Sequence, residues 1–197
     1  MTTATTWRLV LDTTLGAVEI EIDETRAPRT ARFVRSLVEA KHFDGAAFYR
    51  STTLGNEDRN PLIQGGPLAP LFSGTNTPIP HIDLLETIDS TDHTGLTHRR
   101  GTVSLARDLL TTGHILPELF ICLDDYPELD AGGRSEPDEQ GFPAFGTVAS
   151  GLDVVTAIAQ RERHGASPIE LLTGEILTAP VTIVSATISE PTTEGST

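Results

Sequence analysis

Trp7-Arg8-Leu9-Val10-Leu11, a turn at Gly16, and then Val18-Glu19-Ile20-Glu21-Ile22 decide what kind of fold this chain can adopt. The second segment alternates apolar and acidic residues, the period of a strand with one face buried and the other in water. The two segments predict an antiparallel hairpin. Similar short runs recur downstream: Ala46-Ala47-Phe48-Tyr49-Arg50, Leu62-Ile63-Gln64-Gly65-Gly66, Thr102 to Ala106, Leu119 to Leu123, Ala144 to Val148 and Val181 to Ile188. Only two segments read as helices. One follows Pro28, with Phe33, Val34, Leu37 and Val38 at helical spacing; Arg26, Arg29, Arg32 and Arg35 form a solvated basic stripe on it. The other follows Ser150, an expected N-cap, with Asp153 in its first turn and Val154, Val155, Ile158 and Ala159 as its buried stripe. Residues 67–97 carry Pro, Gly, Thr and Asp with little periodicity and read as loop. Many short strands with two helices argue for an all-β sandwich or barrel, and pattern alone leaves both open. In a barrel, closure would remove exposed strand edges and the two helices would plug the open ends.

The 197 residues fit one domain. The expected organisation is an unstructured start over 1–6, a single domain over 7–189 and an unstructured tail over 190–197. The 28 acidic residues against 14 basic ones give a net charge of −14, which weighs against binding nucleic acid or anionic lipid. The lone cysteine, Cys122, excludes an internal disulfide, a thiolate zinc site and a CxxC redox pair; in its apolar strand it reads as a buried, inert thiol. No apolar run approaches a membrane span, and Met1–Thr6 has neither a basic start nor an apolar core, so the expected location is the cytoplasm.

Familiar catalytic signatures are missing. No GxSxG, P-loop, GxGxxG or HExxH element is present, and His81, His93 and His98 lie at irregular spacing and read as surface histidines. No metal or cofactor is expected. A different pair stands out: Arg50 ends one apolar strand and Gln64 lies near the end of another. A guanidinium and an amide above an apolar surface suit hydrogen bonding to a peptide, although pattern alone favours a structural ion pair for Arg50.

Taken in order, the motifs change that balance. Thr14-Leu15-Gly16 with the EIEI strand, Arg26-Ala27-Pro28-Arg29-Thr30, Phe43-Asp44-Gly45, FYR at 48–50, IQGG at 63–66, RRGTVSLA at 99–106, LFIC at 119–122, Leu129-Asp130, FPAFGTV at 142–148 and GLDVV at 151–155 follow one another along the chain. Together they resemble the cyclophilin-type peptidyl-prolyl cis-trans isomerases. The resemblance implies a closed eight-stranded antiparallel barrel capped by two α-helices. It implies an enzyme that rotates X–Pro bonds with no cofactor. Arg50 would donate a hydrogen bond to the prolyl nitrogen, and Gln64 would bind substrate backbone and place Arg50. Phe120 would form the floor of a proline pocket walled by Leu62, Leu129 and Phe142. Ala106 and Arg107 would border the groove for the preceding residues, and Tyr49, Pro61 and Glu118 would complete the cleft. The expected partners are proline-containing peptides or unfolded segments, met by a monomer.

Departures from the family pattern bear on activity. Pro61 stands where the family has a pocket phenylalanine, Glu118 where it has glutamine, Glu128 where many members have tryptophan, and Arg107 where asparagine is common. The connections 51–60 and 132–140 are longer than usual. Glu118 is expected to draw Arg50 away from substrate, and Glu128 to weaken binding of cyclosporin. A peptide-binding module with little turnover is the alternative. Residues 118–140 hold eight acidic residues against Arg134, a local charge of −7, expected along the pocket rim as a solvated loop or as an attractor of basic peptides.

Overall fold

The computed structural model describes residues 6–74, 77–87, 89–108, 113–133 and 139–189. Eight strands close into a barrel: β1 (Thr6–Thr13), β2 (Gly16–Asp23), β3 (Ala47–Thr52), β4 (Leu62–Gly66), β5 (Thr102–Arg107), β6 (Ile115–Cys122), β7 (Ala144–Ser150) and β8 (Ile176–Ser189). Around the barrel they run β1-β2-β7-β5-β6-β4-β3-β8, and β8 pairs back to β1. Every pairing is antiparallel. Closure settles what the pattern left open between sandwich and barrel.

The hairpin alternation holds residue by residue. Trp7, Leu9 and Leu11 of β1 and Val18, Ile20 and Ile22 of β2 are buried, while Glu21 between them is exposed. With Phe48, Ile63, Val103, Leu105, Ile121 and Phe145 from the other strands they fill the interior. Strands β3 to β6 are buried on both faces. Their inner faces join this core, and their outer faces carry the site described below. Gly65 makes the β3–β4 pairing possible, since a Cβ there would lie 2.4 Å from the Ala47 carbonyl oxygen and 2.5 Å from Phe48 Cα.

The barrel is capped by α1 (Pro28–Glu39), packed on β2, β7 and β8, and by the later helix Leu152–Ala159, packed on β2, β3 and β4. Pro28 occupies the first turn as expected, and Ala31, Val34, Leu37 and Val38 are buried, with Phe33 half-buried. The arginine stripe is solvated but not idle. Arg26 pairs with Asp23 at 2.6 Å, and Arg35 lies 4.5 Å over the Trp7 ring. Two expectations need correction. Ser150 is the last residue of β7, and Gly151, at φ 84, caps the later helix instead; a Cβ there would meet the Ala17 carbonyl oxygen at 2.2 Å. The last strand begins five residues before Val181, at Ile176. The described residues of the segment 67–97 are mostly irregular and include two single helical turns, α2 (Pro70–Ser73) and α3 (Thr91–Thr94), so the later helix is α4.

No side chain of its own N-cap residue, Ala27, satisfies the start of α1. Asp89, from the irregular segment, does so instead. Its Oδ2 accepts from the backbone N–H of Arg29 and of Thr30, both at 2.8 Å, and from the Thr30 hydroxyl at 3.0 Å. The carboxylate meets orphan N–H groups at the positive end of the helix. Asp89→Ala is expected to cost about 1–2 kcal/mol of stability, as for loss of an N-cap. Urea unfolding of the pair measures it.

Thr6, expected in an unstructured start, is the first residue of β1. Residues 1–5 and 190–197, for which unstructured ends were expected, lie outside the described residues. No helix among the described residues is long and apolar enough to cross a membrane.

Candidate active site

Pairing of β3 with β4 places Arg50 opposite Gln64, and pairing of β4 with β6 places Gln64 opposite Phe120. Three chain segments distant in sequence thus set a guanidinium, an amide and an aromatic ring side by side. They lie in a cavity of about 390 Å³ on the outer surface of β3–β6. Arg50 Nη1 donates to Gln64 Oε1 at 2.7 Å, and Gln64 Nε2 donates to the Tyr49 hydroxyl at 3.2 Å. Gln64 therefore holds Arg50 in place while its own amide is oriented by Tyr49.

An apolar pocket adjoins this pair. Leu62, Phe120, Leu129 and Phe142 are all buried and pack as one cluster, with half-buried Leu54 against it. Phe142 meets Phe120 edge-on, with ring centroids 5.6 Å apart. Beneath them lies His98, stacked on Phe120 at 5.5 Å. Asp130 Oδ1 accepts from the His98 backbone N–H at 2.9 Å and lies 2.7 Å from its Nδ1. This contact anchors the turn Pro127–Leu129, and the Phe142 N–H closes the pocket by donating to the Leu129 carbonyl at 2.9 Å. His98 is thus a fully buried support of the pocket, not the surface histidine expected.

The departures from the family pattern resolve one by one. Pro61 does not line the cavity; its carbonyl instead accepts from the Leu123 N–H. Leu54 lines it, brought there by the longer 51–60 connection, which turns through Leu54 at φ 53 and Gly55 at φ 84. That connection is fastened by Arg59. Its Nη2 donates to the Thr53 carbonyl at 2.9 Å and pairs with Glu128, and its guanidinium lies 3.8 Å over the Tyr126 ring. Glu128, in the tryptophan position, is therefore an anchor for the loop.

Arg107 lines the cavity, as does Ala106, but its guanidinium is turned to backbone: Nε donates to the Gly113 carbonyl at 3.0 Å and Nη1 to the Gly141 carbonyl at 2.8 Å. It is a strut between two loops that frame the cleft.

Glu118 is fully buried and does not line the cavity. Its Oε1 accepts from the Leu68 N–H at 2.7 Å. Burial pushes its pKa up to about 8, against the pull of that N–H and of Tyr49. Burial, and next the Glu118 charge, push the Tyr49 hydroxyl up as well. Below that value the carboxyl keeps its proton and still presents an acceptor where the family has a glutamine. The expectation that Glu118 would draw Arg50 away is wrong in its residue. The carboxylate that meets Arg50 is Glu175, 2.8 Å from Nε and 2.6 Å from Nη2. The Thr52 hydroxyl donates to its other oxygen at 2.6 Å. Glu175 arrives because Ile176 is paired with Arg50 across β3 and β8. These contacts leave N–H capacity on Nη1 and Nη2 for a substrate.

The acidic rim shrinks accordingly. Glu118 is inside, Glu128 is paired with Arg59, Asp130 holds His98, and Asp124 Oδ2 accepts from the Asn60 N–H at 3.0 Å. Arg134, Glu136 and Asp138 lie outside the described residues. Cys122 is buried and its thiol is pushed strongly up by burial, in keeping with an inert core group. Among the described residues no group of His, Cys, Asp and Glu is placed to hold a metal ion.

An apolar pocket beside a fixed guanidinium–amide pair, on the face of a closed antiparallel barrel, defines a site for an apolar ring next to a hydrogen-bonding backbone. The family model for cyclophilin-type peptidyl-prolyl cis-trans isomerases matches residues 8–188, and the chain belongs to that family. Among curated relatives, the peptidyl-prolyl cis-trans isomerase cyp18 of Streptomyces antibioticus is 29% identical over 149 residues, covering 75% of this chain and 80% of that protein. The peptidyl-prolyl cis-trans isomerase of Acinetobacter baylyi is 30% identical over 149 residues, covering 76% and 70%. Peptidyl-prolyl cis-trans isomerase A of Dickeya dadantii is 26% identical over 190 residues, covering 93% and 85%. A crystal structure of a Cryptosporidium parvum cyclophilin-type isomerase superposes with a TM-score of 0.67 at 14% identity, covering 94% of this chain and 99% of that one. The expected family, barrel and isomerase class are borne out.

Proposed function

We propose that this cleft accelerates cis-trans rotation of X–Pro bonds in unfolded or exposed protein segments, with Arg50 as the catalytic group. The observation that carries the reading is the Arg50–Gln64 hydrogen bond beside the Phe120 pocket. Rotation must break amide resonance, which holds the bond through a barrier of about 18–20 kcal/mol. As the bond twists, the prolyl nitrogen becomes pyramidal and gains a lone pair. A pre-placed Arg50 N–H meets that lone pair only in the twisted state, so the contact lowers the barrier instead of merely tightening binding. Phe120, Leu62, Leu129, Phe142 and Leu54 hold the ring, and Gln64 positions Arg50. The protein works as a monomeric folding helper in the cytoplasm. A solved Cryptosporidium parvum relative prepared in the presence of the dipeptide Ala-Pro, at 14% identity, is consistent with a proline ligand in this fold. The test is a refolding reaction limited by proline isomerisation, whose slow phase takes tens of seconds. The protein is expected to shorten that phase; a slow phase unaltered at micromolar enzyme would overturn the folding role.

One observation favours the second reading, a peptide-binding module with little turnover: the Glu175 carboxylate sits on the catalytic guanidinium. The two readings divide on Glu175→Ala. If Glu175 positions Arg50, its loss frees a long side chain and lowers kcat/KM about tenfold, with Glu175→Gln restoring most of it. A rise in turnover in Glu175→Ala would mark the carboxylate as an inhibitory partner and favour the binding module.

A further inference from the structure

The cleft does not end at the proline pocket. Beyond Arg50 and Gln64 the same cavity runs into a second apolar lobe. Its floor is Tyr49 stacked flat on Phe72, with ring centroids 4.3 Å apart and planes 9° from parallel. These rings belong to a small cluster of their own, with Ala69 and Ile176, separate from the barrel core. Leu71 of α2 stands at one side of the lobe. Ile169 and Leu171, from the segment leading into β8, also line it. Leu71 is 46% exposed and Leu171 72% exposed. Single exposed leucines are ordinary, but apolar side chains from two separate segments converging on one cavity are characteristic of a binding surface.

We propose that this lobe is a subsite for one large apolar side chain, leucine or phenylalanine in kind, in the peptide segment flanking the proline. The proposal rests on the isomerase reading and adds a sequence preference to it. The occupant is the substrate itself because the lobe is continuous with the proline pocket. An extended peptide advances about 3.3–3.6 Å per residue, so a neighbour of the proline enters the lobe while the ring is bound. The charge arrangement selects against ionised side chains. The side chains that form the lobe, Tyr49, Leu71, Phe72, Ile169 and Leu171, carry no charge, and the guanidinium at its edge, Arg50, is already paired with Glu175, so an ionised side chain seated there loses hydration with little to replace it.

The test is a series of proline peptides in which leucine, alanine or glutamate is placed in turn at each position near the proline, read both as kcat/KM and as calorimetric Kd. At one position leucine is expected to exceed alanine about tenfold in kcat/KM and in affinity, with glutamate below alanine. In the double variant Leu71→Ser, Leu171→Ser that leucine-to-alanine ratio falls to about one; both side chains are exposed, so an unchanged Tm shows that the fold persists. Ratios within about twofold at every position, or a preference that survives the double variant, would overturn the subsite. If no peptide is turned over, the isomerase reading fails, and the Kd ratios alone decide whether the lobe binds an apolar side chain.

Discussion

Replacing Arg50 by alanine is expected to lower kcat/KM on proline peptides by about 10²–10³, the range seen when one pre-placed transition-state donor is removed. The loss should fall mainly on kcat. The ring pocket of Leu62, Phe120, Leu129 and Phe142 stays intact in this variant, so KM should change far less. Arg50→Lys separates charge from geometry. A lysine retains the charge but cannot bridge Gln64 on one side and Glu175 on the other, as the planar guanidinium does. It should recover only a small part of the rate. Equal kcat in wild type and Arg50→Ala would remove Arg50 from the mechanism. A rise in KM at unchanged kcat would make it a ground-state binding residue.

The second large effect concerns stability and comes from Glu118. Its folded pKa is pushed up to about 8 by burial, against an ordinary value of 4.5. Between those values the unfolded chain has lost this proton and the folded chain keeps it. Unfolding therefore releases a proton, and stability falls as pH rises through the window. The slope from this group is about 1.4 kcal/mol per pH unit, accumulating to as much as about 5 kcal/mol by pH 8. Below the unfolded value the cost is absent; above the folded value it is complete. Glu118→Gln keeps an acceptor for the Leu68 N–H and removes the proton. It should flatten that part of the curve and be more stable than wild type at pH 8. Chemical unfolding of both proteins from pH 5 to pH 9 measures this, and parallel curves would contradict a buried, neutral Glu118.

These two residues illustrate what could be read from the sequence. β1 and β2 were legible because each alternates against a water-filled exterior, so hydrophobicity recorded their register. The start of β8 was not, because Ile176-Leu177-Thr178-Ala179-Pro180 carries no alternation. The helix after Gly151 was legible, but its cap was not: the need for a glycine comes from the Ala17 carbonyl, more than a hundred residues upstream. Within the site, Arg50, Gln64, Phe120, Leu62, Leu129 and Phe142 were named through the order of motifs, and the structure brings them into one cavity. Glu175 was out of reach, since it meets Arg50 from 125 residues away through the β3–β8 register. Glu118 was expected in the cleft, as a partner for Arg50 and part of the acidic rim, because a carboxylate is usually solvated or paired. The room for it comes from Gly66, where a Cβ would lie 2.7 Å from Glu118 Oε1. Pro61 suggested a lost pocket wall, whereas Leu54, on the lengthened connection, lines the pocket instead. The charge of 118–140 looked like a rim field, but much of it is used in named contacts within the loops.

The central claim is that this cleft catalyses prolyl rotation, and a protease-coupled assay on a short proline peptide tests it most directly. Uncatalysed, the cis fraction converts over tens to hundreds of seconds. With the wild-type protein at micromolar concentration, the slow phase should quicken in proportion to enzyme, and Arg50→Ala at the same concentration should leave it close to the uncatalysed rate. Traces for the wild type that superimpose on buffer alone, from a folded protein that still binds the peptide, would contradict the account.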